Sequence, residues 1–187
     1  MVGCDYYYIP TGIDKKIAKH IIKNIDKFGS EEDASKIAGN VVNEKLRRST
    51  QRWIPTDNWI AGMMAHFINE ANRAYFKFDL TSWADKIQYT YYKGNGSHYS
   101  WHADAMESGL AQGDVRKLSI SLLLSDPDDY EGGEFQLLFK DRREMISIKP
   151  ELGSAIIFPS DALHRVRPLK GGKRVSLVGW YGGPPLR

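Results

Sequence analysis

Residues 86–104 read KIQYTYYKGNGSHYSWHAD, and across this stretch the chain changes from helical to strand-forming sequence. β-Branched and aromatic residues alternate with polar ones on both sides of the turn signal Gly94-Asn95-Gly96. Similar runs, separated by Gly-, Pro- and Asp-rich turns, predict strands over residues 86–92, 99–104, 117–124, 134–139, 145–149, 154–158, 164–166 and 174–181. Eight short strands at this spacing predict a sandwich or barrel, and the jelly roll is the eight-stranded form.

The sequence before residue 81 has a helical pattern instead. Apolar residues recur every three or four positions over residues 11–28, 30–42 and 57–75, with Ser30 and Asp57 as expected N-caps of the second and third helices. Helices followed by strands predict an α+β fold in which the N-terminal helices pack on one sheet. No repeat or linker divides the chain. We therefore expect one domain over residues 1–187, with 1–80 as mainly helical support and 81–187 as the β core.

Composition excludes several other classes of protein. The chain has 187 residues, of which 42% are hydrophobic and 26% charged, which is ordinary for a globular domain. The single cysteine, Cys4, cannot form an internal disulfide, and a net charge of +3 is too small to predict a nucleic-acid partner. The N-terminus lacks the pattern of a signal peptide, and the apolar run at residues 59–65 is too short for a membrane helix. These features predict a cytoplasmic protein without membrane contact.

One histidine and one aspartate lie two positions apart at the start of the strand half. On a strand, His102 and Asp104 share a face, roughly 7 Å apart, so both can approach one ion. His164 is the candidate third ligand, which would complete the two-histidine, one-carboxylate triad of non-haem Fe(II) oxygenases. Arg174 follows ten residues later and offers a bidentate partner for a carboxylate, or else is a surface cation beside Lys170. An isolated His-x-Asp pair is common, so the prediction depends on the order of all four residues.

Residues 92–104 resemble the corresponding stretch of Fe(II)/2-oxoglutarate-dependent prolyl hydroxylases. The spacing Tyr-x-Gly-Asn-Gly-x-x-Tyr-x-x-His-x-Asp is similar to that of the hypoxia-factor prolyl hydroxylases. Residues 116–119 and 124–134 resemble the PKHD-type hydroxylases of bacteria and phages. The resemblance covers residues 87–181, about half the chain, and implies a double-stranded β-helix, a jelly-roll and cupin-like form, with iron at its open end.

The resemblance also implies roles for nine residues. The expected metal ligands are His102, Asp104 and His164. The residues expected to bind the co-substrate 2-oxoglutarate are Arg174, Ser176 and Tyr92. The residues expected at the substrate are Tyr99, Trp180 and Arg116. The chemistry would be centred on iron, and no separate acid or base residue is assigned.

Two features of this sequence do not follow simply from the family pattern. Residues 122–124 are all leucine where the hypoxia-type enzymes carry a co-substrate-binding tyrosine, so Tyr89 or Tyr91 is the candidate replacement. Tyr99 lies three positions before His102, which puts it on the opposite face unless a bulge re-aims it. The resemblance favours the bulge. We also expect residues 94–96 and 104–113 to form mobile substrate contacts at the mouth of the barrel.

The function that follows is hydroxylation of a peptidyl proline in a protein or peptide substrate. Fe(II) is the expected cofactor, 2-oxoglutarate and O2 are consumed, succinate and CO2 are released, and ascorbate is an accessory of the family. An alternative is the same chemistry on a free amino acid or another small molecule. A third possibility is a β-sandwich binding module without catalysis, which retention of the complete triad and Arg174 disfavours.

Overall fold

The computed structural model describes residues 6–28, 31–34, 36–37, 41–105, 113–139 and 143–185. Its helices are α1 (Lys15–Lys23) and α2 (Trp59–Ala71), with 3-10 turns at Ile25–Phe28 and Pro127–Asp129 and a π-helical turn at Asn72–Phe76. In the first half the strands are β1 (Tyr7–Ile9), β2 (Glu31–Ala34), β3 (Lys36–Ile37), β4 (Val41–Val42), β5 (Arg47–Arg48) and β6 (Thr50–Ile54). In the second half they are β7 (Ile87–Lys93), β8 (His98–His102), β9 (Val115–Leu123), β10 (Tyr130–Gly132), β11 (Phe135–Phe139), β12 (Glu144–Ile148), β13 (Ala155–Pro159), β14 (Leu163–Val166) and β15 (Leu169–Gly183).

The described strands form two large antiparallel sheets and one small pair. The larger sheet has the order β1-β13-β9-β15-β7-β6-β2, with β10 paired to the first part of β15. The smaller sheet has the order β12-β11-β14-β8-β5, and β3 pairs with β4. Sequence neighbours are often not sheet neighbours, so the topology brings distant segments side by side. In particular, it places β14 next to β8 and β15 next to β7.

Two apolar clusters hold these layers together. In the first, Met64 and Ile68 of α2 pack with Ile120, Leu122 and Leu177 of the larger sheet, and all five are fully buried. Ala18 and Ile21 of α1 belong to the same cluster, so both helices lie against that sheet. The second cluster combines side chains of both sheets: Tyr92, Phe135, Leu137, Phe158 and Val166. Two antiparallel sheets that share an apolar interior fit a jelly-roll core.

The strand predictions beyond residue 85 are confirmed with small shifts at their ends. Alternation explains this agreement, because β7 places Gln88, Thr90 and Tyr92 on the cavity side and Tyr89 on the helix side. The last strand begins earlier than predicted, at Leu169, because its first part pairs with β10. Among the described residues, no helix is long and apolar enough to cross a membrane.

The predicted helix over residues 30–42 is wrong. Residues 31–34 are strand β2, which pairs with β6 from Glu31 opposite Trp53 to Ala34 opposite Thr50. Pairing with an available sheet edge prevails over a helical pattern that was short and only weakly periodic. Asn58, not Asp57, caps α2, because its side chain accepts from the backbone N–H groups of Ile60 and Ala61. The first 80 residues thus contribute strands to both large sheets as well as two helices.

Candidate metal centre and active-site cavity

The three predicted metal ligands converge at one end of the smaller sheet. His102 ends β8, His164 lies opposite it on β14, and Asp104 lies two residues after the end of β8. Their donor atoms all lie within 4.8 Å of one another. Nε2 of His102 is 3.6 Å from one oxygen of Asp104, and Nε2 of His164 is 3.4 Å from the other. Two imidazoles and one carboxylate in this arrangement match the facial triad that binds non-haem Fe(II).

Hydrogen bonds leave the correct ring nitrogen of each histidine free for a metal. Nδ1 of His102 lies 2.8 Å from the carbonyl oxygen of Ser100, and Nδ1 of His164 lies 3.1 Å from that of Ala162. A carbonyl only accepts, so each Nδ1 carries the proton and donates it. Nε2 then presents its lone pair toward Asp104. Such outer hydrogen bonds fix the tautomer and ring orientation of metal-binding histidines.

The third ligand is braced from the larger sheet. Ser119 Oγ on β9 donates to Asp104 Oδ2 at 2.8 Å and lies 2.9 Å from Ser160 Oγ. The carbonyl oxygen of Ser160 accepts from the backbone N–H groups of Asp104 and Ala105, both at 2.8 Å. These bonds hold the carboxylate where the two imidazoles meet.

The charge states of the triad also suit a divalent cation. Burial opposes ionisation of Asp104, but His164 and His102 outweigh burial and hold the pKa of this carboxyl well below its ordinary value. Burial lowers the pKa of His164 to about 4, although Asp104 acts in the opposite direction. At neutral pH the site therefore contains a carboxylate and a neutral His164, which are the donor forms that a metal requires.

Tyr99 reaches the cavity through the expected bulge. His102 faces His164 and Tyr99 faces Val166, so two steps on β14 correspond to three on β8. The extra residue turns Tyr99 to the side of His102, and their rings stack with centroids 3.5 Å apart. Burial raises the pKa of Tyr99 to about 12, so its phenol stays protonated.

Arg174 is the most deeply buried charged side chain among the described residues, with 1% of its surface exposed. Its Nη1 donates to Ser176 Oγ at 3.2 Å, its guanidinium carbon lies 5.6 Å from the centroid of the Tyr92 ring, and its Nε has no hydrogen-bond partner. Gly133 leaves room for it, because a Cβ at that position would lie 3.2 Å from Arg174 Cδ. A buried guanidinium whose Nε lacks a hydrogen-bond partner fits a bound carboxylate.

A cavity of about 460 Å³ joins the triad to Arg174, a size typical of small-molecule sites. The nine predicted site residues all line it: His102, Asp104, His164, Arg174, Ser176, Tyr92, Tyr99, Trp180 and Arg116. Arg116 stacks on Trp180, with its guanidinium carbon 4.1 Å from the ring, and pairs with Asp85 at 3.0 Å. Its Nη1 also donates to the carbonyl oxygen of Asp104 at 3.3 Å, so Arg116 is tied to the metal end of the cavity.

The expectation that Tyr89 or Tyr91 reaches the co-substrate is wrong, because neither side chain lines the cavity. Tyr89 is buried in the cluster beneath the helices and Tyr91 packs against it, since odd positions of β7 face away from the cavity.

The loop at residues 94–96 is also not at the metal end. Gly94 N–H donates to the carbonyl of Gly172 and Gly96 N–H to that of Leu169, which ties this turn to the start of β15. The predicted flap at 104–113 falls largely on residues 106–112, outside the described residues.

Sequence reasoning missed one wall of the cavity. Arg47 on β5 and Gln51 on β6 line it together with Gln88 and Thr90 of β7. The two β7 residues could have been found by counting back in steps of two from Tyr92. Arg47 and Gln51 gave no such signal, because they lie in a segment where short strands were not predicted.

The family model of the 2OG-Fe(II) oxygenase superfamily matches residues 87–182, just over half of the chain. This chain belongs to that superfamily. The matched region contains the whole triad and Arg174 and excludes Arg47 and Gln51.

Curated relatives that match this chain include PKHD-type hydroxylases. The chain is 41% identical over 91 residues to a PKHD-type hydroxylase of Stenotrophomonas maltophilia, a match that covers 48% of this chain and 39% of the relative. It is 41% identical over 88 residues to a PKHD-type hydroxylase of Hyphomonas neptunium, covering 46% and 38%. The matched part thus spans less than half the length of these relatives.

Solved structures share the fold over nearly the whole chain. A Trichoplax adhaerens prolyl hydroxylase in complex with a hypoxia inducible factor peptide fragment aligns with a TM-score of 0.76 at 19% identity, covering 95% of this chain and 83% of that one. A Pseudomonas putida prolyl-4-hydroxylase aligns with a TM-score of 0.69 at 19% identity, covering 95% and 91%. A viral collagen prolyl hydroxylase from Paramecium Bursaria Chlorella virus-1, in its 2OG complex, gives 0.69 at 21%, covering 97% of each chain.

Proposed function

We propose that this chain is an Fe(II)- and 2-oxoglutarate-dependent dioxygenase that hydroxylates a peptidyl proline and releases succinate and CO2. The observation that carries the proposal is one cavity holding both the His102, Asp104 and His164 triad and the buried, unsatisfied Arg174. We further propose that the two sheets form a double-stranded β-helix and that residues 1–187 act as one oxygenase domain.

Each part of the cavity has a defined task in this proposal. Nε2 of His102 and of His164 and the Asp104 carboxylate hold Fe(II), while Arg174 and Ser176 bind the distal carboxylate of 2-oxoglutarate beside Tyr92. Bound Fe(II) supplies the redox chemistry by which one atom of O2 enters succinate, as CO2 leaves, and the other enters the substrate C–H bond. The protein fixes the geometry and excludes water, and no side chain is needed as a separate acid or base.

A prolyl substrate is supported by the aromatic side chains near the metal end. Tyr99 stacks on His102, and Trp180 lies against Arg116 beside Asp104. Flat, rigid rings suit the packing of a proline ring, and the structural relatives include prolyl hydroxylases, one of them in complex with a peptide. The role of ascorbate and a cytoplasmic location remain predictions from the sequence.

The direct test is succinate formation by the protein supplied with Fe(II), 2-oxoglutarate and a panel of proline-containing peptides. The proposal predicts peptide-dependent succinate and hydroxyproline in equal amounts, both lost in His164→Ala. Robust turnover of a free amino acid with no peptide product would favour the small-molecule alternative. No 2-oxoglutarate consumption with any substrate, in protein shown to bind iron, would favour a binding module.

A further inference from the structure

A second buried arginine lies in the cavity, outside the region that defines the family. Arg47 is 4% exposed and lies on β5, the edge strand of the smaller sheet, directly opposite Tyr99. Its guanidinium carbon is 4.3 Å from the centroid of the Tyr99 ring, and that ring stacks on His102. Arg47 is therefore one aromatic ring away from a metal ligand.

The polar groups around Arg47 are all neutral. Nε donates to Ser49 Oγ at 3.0 Å and Nη2 to Gln88 Oε1 at 3.3 Å. When the amide oxygen of Gln51 faces the guanidinium, it accepts from Arg47 Nε at 3.0 Å, from both Nη atoms of Arg47, and from Gln88 Nε2 at 2.8 Å. Within the described residues, no carboxylate lies within 4 Å of Arg47. A charge buried among neutral groups is costly, and a neutral side chain would serve to join these strands.

The charge of the loaded cavity shows where a further anion would be bound. Among the described residues, its charged side chains are three arginines and two aspartates: Arg47, Arg116, Arg174, Asp85 and Asp104. Arg116 is paired with Asp85. In the proposed function Asp104 would face the metal, and Arg174 would face the distal end of 2-oxoglutarate. The two charges of Fe(II) and those of the 2-oxoglutarate dianion cancel. For the described residues one positive charge would therefore remain, and it would lie at Arg47.

We propose that Arg47, with Gln51 and Gln88 beside it, binds a carboxylate of the substrate, and that the enzyme selects substrates carrying a carboxylate close to the reacting carbon. The inference rests on the proposed Fe(II) and 2-oxoglutarate function of the same cavity. Gln51 is neutral, so a carboxylate would take the place of its amide oxygen at the guanidinium fork. Such a carboxylate fits the fork equally well from an acidic side chain next to the reacting residue or from a free C-terminus. Arg47 is then a specificity-determining residue.

The test measures binding to protein loaded anaerobically with Fe(II) and 2-oxoglutarate, by calorimetry, using matched acids and amides. One pair is N-acetyl-proline and its amide, and the other is an N-acetyl-Asp-Pro amide with its Asn counterpart. Which pair responds distinguishes a terminal from a side-chain carboxylate. The same pairs with alanine in place of proline separate recognition of the carboxylate from recognition of the ring. We expect the acid of at least one pair to bind about tenfold or more tighter.

Variants assign that preference to Arg47. Arg47→Gln should reduce the acid preference to less than about threefold, and Arg47→Lys should keep part of it because the charge remains without the fork. Arg48→Gln is the matched control, because the Arg48 side chain is exposed on the same strand and donates to the carbonyl oxygen of Asn95. It should keep the full preference. Binding of 2-oxoglutarate, measured in parallel, should be unchanged in Arg47→Gln.

Two results would overturn the inference: equal binding of acid and amide in every pair by the unmodified protein, or an acid preference that persists in Arg47→Gln. If thermal melting shows that Arg47→Gln is not folded, the acid preferences of the unmodified protein and of Arg47→Lys test the inference instead. Failure of the prolyl function would look different, since proline and alanine probes would then bind alike while the acids kept their advantage.

Discussion

Nε2 of His164 lies 3.4 Å from Oδ2 of Asp104, although sixty residues separate them in sequence. The contact depends on the antiparallel pairing of β14 with β8, which sets His164 opposite His102. Asp104 is held on its other side by Ser119 of the larger sheet. The candidate metal centre thus lies across the interface of the two sheets.

Replacing any one of the three proposed metal ligands should leave the fold intact. We expect His102→Ala, Asp104→Ala and His164→Ala each to weaken Fe(II) binding by about 100-fold or more, beyond the range seen for outer-shell changes. The circular dichroism spectrum should not change. Iron binding and succinate formation are measured together, and a variant with near-normal values for both would remove that residue from the ligand set.

Ser119 should matter to the metal although it does not bind it. Ser119→Ala removes the hydrogen bond to Asp104 Oδ2, so we expect Fe(II) affinity to fall by about 10- to 100-fold. Ser121→Ala is the control, because Ser121 lines the cavity two residues along the same strand. Equal effects of the two substitutions on Fe(II) affinity would contradict the assigned role.

Arg174→Ala should act on 2-oxoglutarate far more than on iron. Loss of a desolvated pair with a carboxylate costs about 2–5 kcal/mol, which is a factor of tens to thousands in binding. Arg174→Lys should restore only part of this affinity. Titration of the Fe(II) protein with 2-oxoglutarate, followed by its charge-transfer absorption, gives the midpoint. An unchanged midpoint in Arg174→Ala would refute the assignment.

Trp180 should separate substrate binding from co-substrate turnover. The side chain is 4% exposed, so Trp180→Phe is preferred to Trp180→Ala, which risks a loss of about 3–5 kcal/mol in stability. We expect weaker peptide hydroxylation, with substrate-free decarboxylation of 2-oxoglutarate kept within about twofold. Comparable loss of both activities would place Trp180 in the co-substrate site or the core.

The second-half strands and the convergence of His102, Asp104 and His164 could be predicted because their determinants are local or strongly patterned. Strand alternation placed the second-half strands, and His102 and Asp104 lie two positions apart. The bulge that turns Tyr99 inward could not be derived from alternation, which points the other way. It was predicted only through resemblance to the family.

Other features depend on tertiary pairing that a single sequence does not show. Residues 31–34 pair with β6 although their pattern favoured a helix. Tyr89 and Tyr91 are next to Tyr92 on the same strand, yet strand alternation assigns them to the face opposite Tyr92 and the cavity. Arg47 reaches the cavity only because β5 pairs with β8 at the edge of the smaller sheet.

Isotope labelling tests the central claim most directly. The protein is incubated under ¹⁸O₂ with Fe(II), 2-oxoglutarate and a proline-containing peptide that it turns over. The ¹⁸O content of the products is then measured by mass spectrometry. The account predicts one labelled oxygen in hydroxyproline and one in succinate. A hydroxyl group derived from water, or hydroxylation without conversion of 2-oxoglutarate to succinate, would contradict it.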